Sequence, residues 1–176
     1  MNGKKIAKRI LVEVYEWSKM FLLALVVAFF IKNTVVASAV VPTGSMEQTV
    51  MTGSKIIINR LVYTYTEPKR GDIVSFYYPD DGETLYLKRI MGLPGEVIEG
   101  INGKVFIDGK EIEDYTENQF YEDFGPYNIP ENCYFMMGDN RSNSWDSRYW
   151  NNKFVDQADI IGKAVFEFFP KIKVLE

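Results

Sequence analysis

The chain of 176 residues contains no histidine and a single cysteine, Cys133. Any hydrolytic chemistry must therefore be built from other groups. The missing histidine excludes Ser-His-Asp and Cys-His catalysis and every His-ligated metal site. One thiol excludes an internal disulfide and a multi-cysteine zinc site. A serine nucleophile in such a chain needs a lysine, a carboxylate or a terminal amine as its base. Ser45 is one candidate. It stands in Val41-Pro42-Thr43-Gly44-Ser45-Met46, where Pro42 fixes its own φ and pushes Val41 toward extended backbone. Gly44 permits a sharp turn and the close approach of another chain. Lys88 is the second candidate, inside the apolar stretch Leu85 to Met91. At strand spacing Tyr86, Lys88 and Ile90 share one face, and Leu87, Arg89 and Met91 share the other. Burial there disfavours an ammonium and lowers its pKa from about 10.4, and a neutral amine is a competent base for a hydroxyl. Each residue also has a plainer reading: Ser45 as a loop serine in a Pro-Gly turn, Lys88 and Arg89 as edge-strand charges that block aggregation.

A third polar stretch runs from Gly138 to Arg148, with Asp139, Asn140, Arg141, Ser144, Asp146 and Arg148 in eleven residues. It follows an apolar strand. Read plainly it is an Asx-rich turn in which Asp146 and Arg148 make a surface ion pair. Its density of donors also suits a site.

The elements that must position these residues fall into two textures. Met20 to Ile31 is apolar throughout, and Trp17 to Val36 gives the roughly 20 residues a membrane-spanning helix needs. Lys19 and Lys32 lie near its ends, where lysines snorkel, and Trp17 suits the interfacial belt. Residues 1–32 carry a net +4 against −4 for the whole chain, leaving −8 on residues 33–176. An acidic remainder argues against nucleic acid as a partner, and a basic start argues for an anionic membrane surface. The basic flank predicts an inside N-terminus and an outside remainder. The same region also reads as a cleaved secretory signal ending at Ala37-Ser38-Ala39, which is equally a candidate self-cleavage site.

Beyond Thr34 the chain reads as short strands. These are Lys55–Ile58, Asp72–Tyr77, Thr84–Met91, Glu96–Ile101, Lys104–Ile107, Lys110–Ile112, Cys133–Met137 and Ile160–Phe169. Asn102-Gly103 and Asp108-Gly109 are hairpin turn pairs. Residues 113–132, polar and aromatic with Gly125-Pro126, read as a surface excursion.

Five stretches in one order resemble the type I signal peptidases (bacterial leader peptidases, a Ser/Lys peptidase family). They are the apolar anchor, Pro42 to Met46, Arg70-Gly71-Asp72-Ile73-Val74, Leu87 to Ile90 with Gly92-Leu93-Pro94-Gly95, and Gly138 to Arg141 continued by Asp146-Ser147-Arg148. The resemblance covers residues 18–165 and is to the short Gram-positive form. It implies a mainly β fold: a compact antiparallel β-sheet or barrel-like catalytic domain preceded by one transmembrane helix. The implied division is a basic, amphipathic cytoplasmic segment 1–17, an anchor 18–36 and an extracytoplasmic peptidase domain 37–176.

By the same resemblance Ser45 is the nucleophile, Lys88 the general base and Ser144 the serine that orients the amine. The Ser45 N–H and the Thr43 hydroxyl are the oxyanion-hole donors, and Asp146 and Arg148 a structural ion pair. Val41, Met46 and Leu87 are walls of shallow substrate pockets. The implied activity is removal of signal peptides from exported precursors after small residues, at Ala-x-Ala type sites. It takes place at the cell membrane, with the lipid bilayer and precursor proteins as partners and no cofactor or metal. Two positions depart from the family pattern. Gln48 stands where proline is usual and could loosen the turn, and Glu96 stands where aspartate is usual. A self-cleaving repressor-type protease would share the chemistry but not the anchor. A non-catalytic relative assisting assembly of surface polymers would lack the serine or the lysine.

Overall fold

The computed structural model describes residues 3–112, 115–117 and 119–175. The chain divides into two compact units, residues 1–36 and residues 37–176. In the first, α1 spans Gly3–Phe30 and continues as a π-helical turn over Ile31–Val35. No break separates residue 17 from residue 18. Lys8–Val35 is long and apolar enough to cross a membrane by length and composition, and none of it is buried. Its polar side chains fold back onto the helix: Ser18 Oγ donates to the Tyr15 carbonyl, Asn33 Nδ2 to that of Phe29 and Thr34 Oγ1 to that of Phe30. Satisfying polar groups within the helix is what an apolar solvent demands.

The second unit is built of strands: β1 (Val36–Val40), β2 (Lys55–Asn59), β3 (Ile73–Tyr77), β4 (Leu85–Gly92), β5 (Val97–Ile101), β6 (Lys104–Ile107), β7 (Lys110–Glu111), β8 (Phe124–Asn128), β9 (Cys133–Met137), β10 (Val155–Asp156), β11 (Ile160–Phe169) and β12 (Lys173–Val174). They form two sheets. One runs β1-β2-β11-β3-β4-β9-β10 with β12 on β11, the other β7-β6-β5-β8. The expectation of a mainly β, antiparallel fold with one N-terminal apolar helix is met. Both predicted turn pairs have positive φ at both central residues, Asn102 at 51° and Gly103 at 80°, Asp108 at 50° and Gly109 at 73°. That geometry matches the twist of the strands it joins.

The described residues 119–132 are not wholly the surface excursion expected of 113–132. Positions 113, 114 and 118 lie outside the described residues, but β8 pairs with β5. Phe120, Phe124 and Ile129 are buried with Met91, Ile98 and Phe135. Two features hide this strand in the sequence. Pro126 is tolerated because β8 is the edge of its sheet, and the buried aromatics do not alternate. Gly100 completes the fit, since a Cβ there would meet the Phe124 ring at 2.1 Å.

A separate apolar cluster lies beneath the Ser45 turn: Val41, Met46, Val50, Ile56, Ile58, Ile73, Ala164 and Leu175, joined by Ala37, Ala39 and Leu87. A third, aromatic cluster packs Phe76, Tyr134 and Trp150 with Tyr78 and Tyr86.

Candidate active site

Ser45 lies in a 3-10 turn over Gly44–Met46, and the turn is pinned from both sides. The Val41 N–H donates to the Ser54 carbonyl at 2.9 Å, and the Gly53 N–H to the Val41 carbonyl at 2.8 Å. From the loop after β9, the Asn140 N–H donates to the Ser45 carbonyl at 3.0 Å, and Asn140 Nδ2 to the Gly44 carbonyl at 3.0 Å. Met46, fully buried, plugs the turn into the apolar cluster below. Gln48 does not loosen this turn. The Glu47 N–H still reaches the Gly44 carbonyl and the Val50 N–H the Met46 carbonyl, at 3.1 and 2.7 Å. Gln48 adopts φ 82°, which a proline, locked near −65°, cannot take. Its Oε1 accepts from Thr116 Oγ1 at 3.1 Å. Glu96 likewise fills its place. Its carboxylate pairs with Arg70 and accepts the Leu93 N–H at 2.7 Å, closing the turn after β4.

Lys88 arrives on β4, opposite Val74 of β3. Only 3% of its surface is exposed, and its Nζ donates to Ser45 Oγ at 2.5 Å. Nζ also lies 5.5 Å from the Tyr86 ring centroid. Among the described residues no carboxylate forms an ion pair with this amine. Burial, the dominant cause, lowers the Lys88 pKa to about 8. Asp146 and Asp139 push it back up, and Arg148 pushes it down. Asp146 is engaged elsewhere. Its two oxygens accept Arg148 Nε at 2.7 Å and Nη2 at 2.8 Å, and the Gly138 N–H at 3.0 Å. The pair is fully buried, not the surface ion pair of the plainer reading.

The edge-strand reading of Lys88 and Arg89 also fails. Arg89 is as buried as Lys88 and makes a bidentate pair with Asp139, Nε–Oδ1 2.9 Å and Nη2–Oδ2 2.7 Å. Thr49 Oγ1 donates to the same carboxylate at 2.5 Å, so this pair ties β4 to the segment following Ser45.

The structure brings most of the sequence-derived residues together. Thr43 Oγ1 lies 3.3 Å from Ser45 Oγ. Ser144 is buried beside Gly138 and the Ser45 carbonyl, yet its Oγ has no hydrogen-bond partner among the described residues. Val41 and Leu87 line an open cavity of about 800 Å³ that runs past Ser45 and Lys88, whereas Met46 lies beneath the turn and does not line it. Ala37, Ser38 and Ala39, in β1, line the same cavity. Sequence reading missed the parts played by Asn140 and Tyr86. Asn140 was visible only as one donor in a dense polar loop, and Tyr86 only as a residue sharing the Lys88 face.

A β-sheet domain that sets a serine hydroxyl against a buried amine, beside an open apolar groove, has the apparatus of a serine hydrolase without histidine. The chain belongs to the signal peptidase family, peptidase S26, whose profile matches residues 14–169. By that membership it is a hydrolase, a serine endopeptidase. Among curated proteins it is similar to signal peptidase I S of Bacillus subtilis, 34% identical over 182 residues, covering 97% of this chain and 96% of that one. A signal peptidase I of Bacillus amyloliquefaciens is 37% identical, covering 89% of each. The probable signal peptidase I-2 of Synechocystis is 33% identical, covering 90% of this chain and 75% of its own. A crystal structure of a signal peptidase I from Enterococcus faecalis superposes with a TM-score of 0.48 at 32% identity, covering 56% of this chain and 97% of that one.

Proposed function

We propose that the chain is a membrane-anchored Ser/Lys endopeptidase that removes signal peptides from exported precursors. The observation that carries this reading is the 2.5 Å contact between Lys88 Nζ and Ser45 Oγ, at an amine whose pKa burial lowers to about 8. Neutral Lys88 takes the proton of Ser45 as Oγ attacks the scissile carbonyl carbon. The Thr43 hydroxyl and the Ser45 N–H receive the developing oxyanion. Lys88 then gives the proton to the leaving amine as the C–N bond breaks, leaving an acyl-serine. A water, deprotonated by Lys88, releases the acid and restores Ser45. By resemblance to the family, Ser144 is the residue that orients the amine; its Oγ is buried beside the Ser45 carbonyl and makes no hydrogen bond to Lys88 among the described residues.

The substrate enters as an extended strand. Among the described residues Leu85 to Lys88 of β4 pair with β3 alone, and β9 takes up the other edge from Arg89 onward. The free edge leads directly to Lys88, so a peptide added there reaches Ser45. Val41 and Leu87 wall apolar pockets that exclude bulk by overlap, which favours small residues before the cut. Residues 18–36 anchor the chain in the cell membrane. The basic flank sets residues 1–17 inside and the peptidase domain 37–176 outside.

The test is to incubate detergent-solubilised protein with a preprotein and locate the cut by mass. Cleavage after an Ala-x-Ala site is the expected result. No cleavage, or cleavage undiminished in Ser45→Ala, defeats the reading. Protease added to intact cells should digest residues 37–176, and protection of that region reverses the orientation.

A further inference from the structure

Trp145 is a large apolar residue in the cavity that holds the reacting pair, and none of the steps above uses it. It sits between Ser144 and Asp146, lines the cavity and is 54% exposed. An exposed indole normally samples several rotamers, but this one is held. Its Nε1 donates to the Tyr78 hydroxyl at 3.3 Å, and its ring stacks on Tyr149 at 5.7 Å and 13°. Tyr78 is held in turn. Its hydroxyl donates to Asp80 Oδ2 at 2.7 Å, and Asp80 accepts the Asn151 and Asn152 N–H groups at 3.0 and 2.7 Å. The Tyr78 ring stacks on Tyr86 at 4.7 Å and 5°.

This chain of contacts places Trp145 relative to β4. Tyr86 and Leu87 are adjacent on that strand and face opposite sides. Leu87 joins the apolar cluster with Val41, Ile56 and Ile58. Tyr86 faces the other way and carries Tyr78, and through it the indole. A peptide strand laid along the free edge of β4 alternates in the same manner. Residues that drop one face into the Val41–Leu87 pocket send the intervening side chain toward Tyr86 and Trp145.

We propose that Trp145 is a specificity-determining residue that reads the middle residue of the cleavage site, the x of Ala-x-Ala, and favours a bulky apolar or aromatic side chain there. The inference rests on the reading of Ser45, Lys88 and the β4 edge given above. A ring already fixed by stacking and a hydrogen bond loses little freedom on contact, so its apolar surface contributes to binding. Tyr78 acts through Trp145 as a positioning residue.

The experiment uses full-length detergent-solubilised protein and a peptide series that varies only x: Gly, Ala, Leu, Phe. The readout is the kcat/KM ratio of the Phe to the Gly peptide, which is insensitive to any loss common to both. Wild type should favour Phe by about five- to tenfold, the size expected of one well-formed aromatic contact. In Trp145→Ala the ratio should fall to about one, and Trp145→Phe should restore part of it. Tyr78→Phe should give an intermediate ratio, since it removes the hydroxyl that holds the indole. An unchanged ratio in Trp145→Ala overturns the proposal. So does an equal loss for every peptide that appears only with lipid vesicles, which would assign the ring to the bilayer surface. A flat x-dependence in an active wild type overturns this inference alone. Failure of wild type to cut any peptide overturns the peptidase reading and this inference with it.

Discussion

Lys88 and Arg89 are neighbours on one strand, equally buried at 3% exposure, and their environments are opposite. Arg89 meets Asp139 in a bidentate pair and donates to the Gly71 carbonyl at 2.6 Å. Lys88 meets a serine hydroxyl and an aromatic ring, and the carboxylate of Asp146 is already held by Arg148. Burial is therefore not what distinguishes a structural cation from a reactive one. A buried charge with a matched counter-ion keeps its proton and holds elements together. A buried amine denied one is driven toward the neutral form. A strand's two-residue alternation is enough to produce both outcomes from adjacent positions.

The two cations should differ most at the reacting pair. Ser45→Ala and Lys88→Ala should each lower kcat by about a thousandfold or more, and the double variant should be no slower than either, because the two act as one unit. Arg89→Lys, by contrast, should retain activity. Single-turnover cleavage of a preprotein separates these results. Comparable losses at both positions would mean that the two faces of β4 do not differ in role.

The next effect is on stability. Asp139→Ala removes the bidentate carboxylate from buried Arg89 and should cost about 3–5 kcal/mol in denaturant titration, whereas Arg89→Met with Asp139→Leu together should recover much of that. Lys88→Met should move the other way. The folded pKa is about 8 against 10.5 for the free side chain, so the folded state binds the proton less tightly than the unfolded chain. Below about pH 8 both states are protonated and the full penalty applies, roughly 3 kcal/mol at 1.36 kcal/mol per pKa unit. Between 8 and 10.5 the unfolded chain holds more protons, so wild-type stability rises with pH and the penalty fades. Lys88→Met should thus be inactive, more stable than wild type at pH 7, and lose that advantage toward pH 10. The cleavage rate of wild type should climb with pH to about 8 and then level. A Lys88→Met protein less stable than wild type at pH 7 would place Lys88 with Arg89 as a structural cation.

The smallest expected effect sharpens the Lys88 side alone. Ser144 Oγ is buried without a partner, so its removal leaves nothing newly unsatisfied. Ser144→Ala should stay within about 1 kcal/mol of wild-type stability while kcat falls by about tenfold. Thermal melts and kcat on one preparation test both halves. A large loss of stability would make Ser144 a packing residue.

Much of this was legible in the chain. Alternation and turn pairs located β2 to β7, because a half-buried strand and a type I′ turn leave local marks that need no partner to read. The same logic failed at β8. Its Pro126 is acceptable only at a sheet edge, and whether a strand is an edge depends on what lies beside it. Within the site, a histidine-free composition left a lysine, a carboxylate or a terminal amine as the base for a serine, and it was the family resemblance that singled out Ser45 and Lys88.

Residue types and their order supplied the available groups: a serine after a Pro-Gly turn, a lysine in an apolar strand, a loop dense in donors and an apolar helix ahead of them. Their distribution came from the folding of distant segments onto one another. That folding put Lys88 Nζ at Ser45 Oγ, gave Asp146 to Arg148 and Asp139 to Arg89, left Ser144 unpartnered, and sank Met46 beneath the turn instead of in the groove. The reason is physical. Residue type sets what a side chain can do, but pairing, exclusion from water and proton affinity depend on which groups approach it across the fold, here from positions 43 to 90 residues away in the chain.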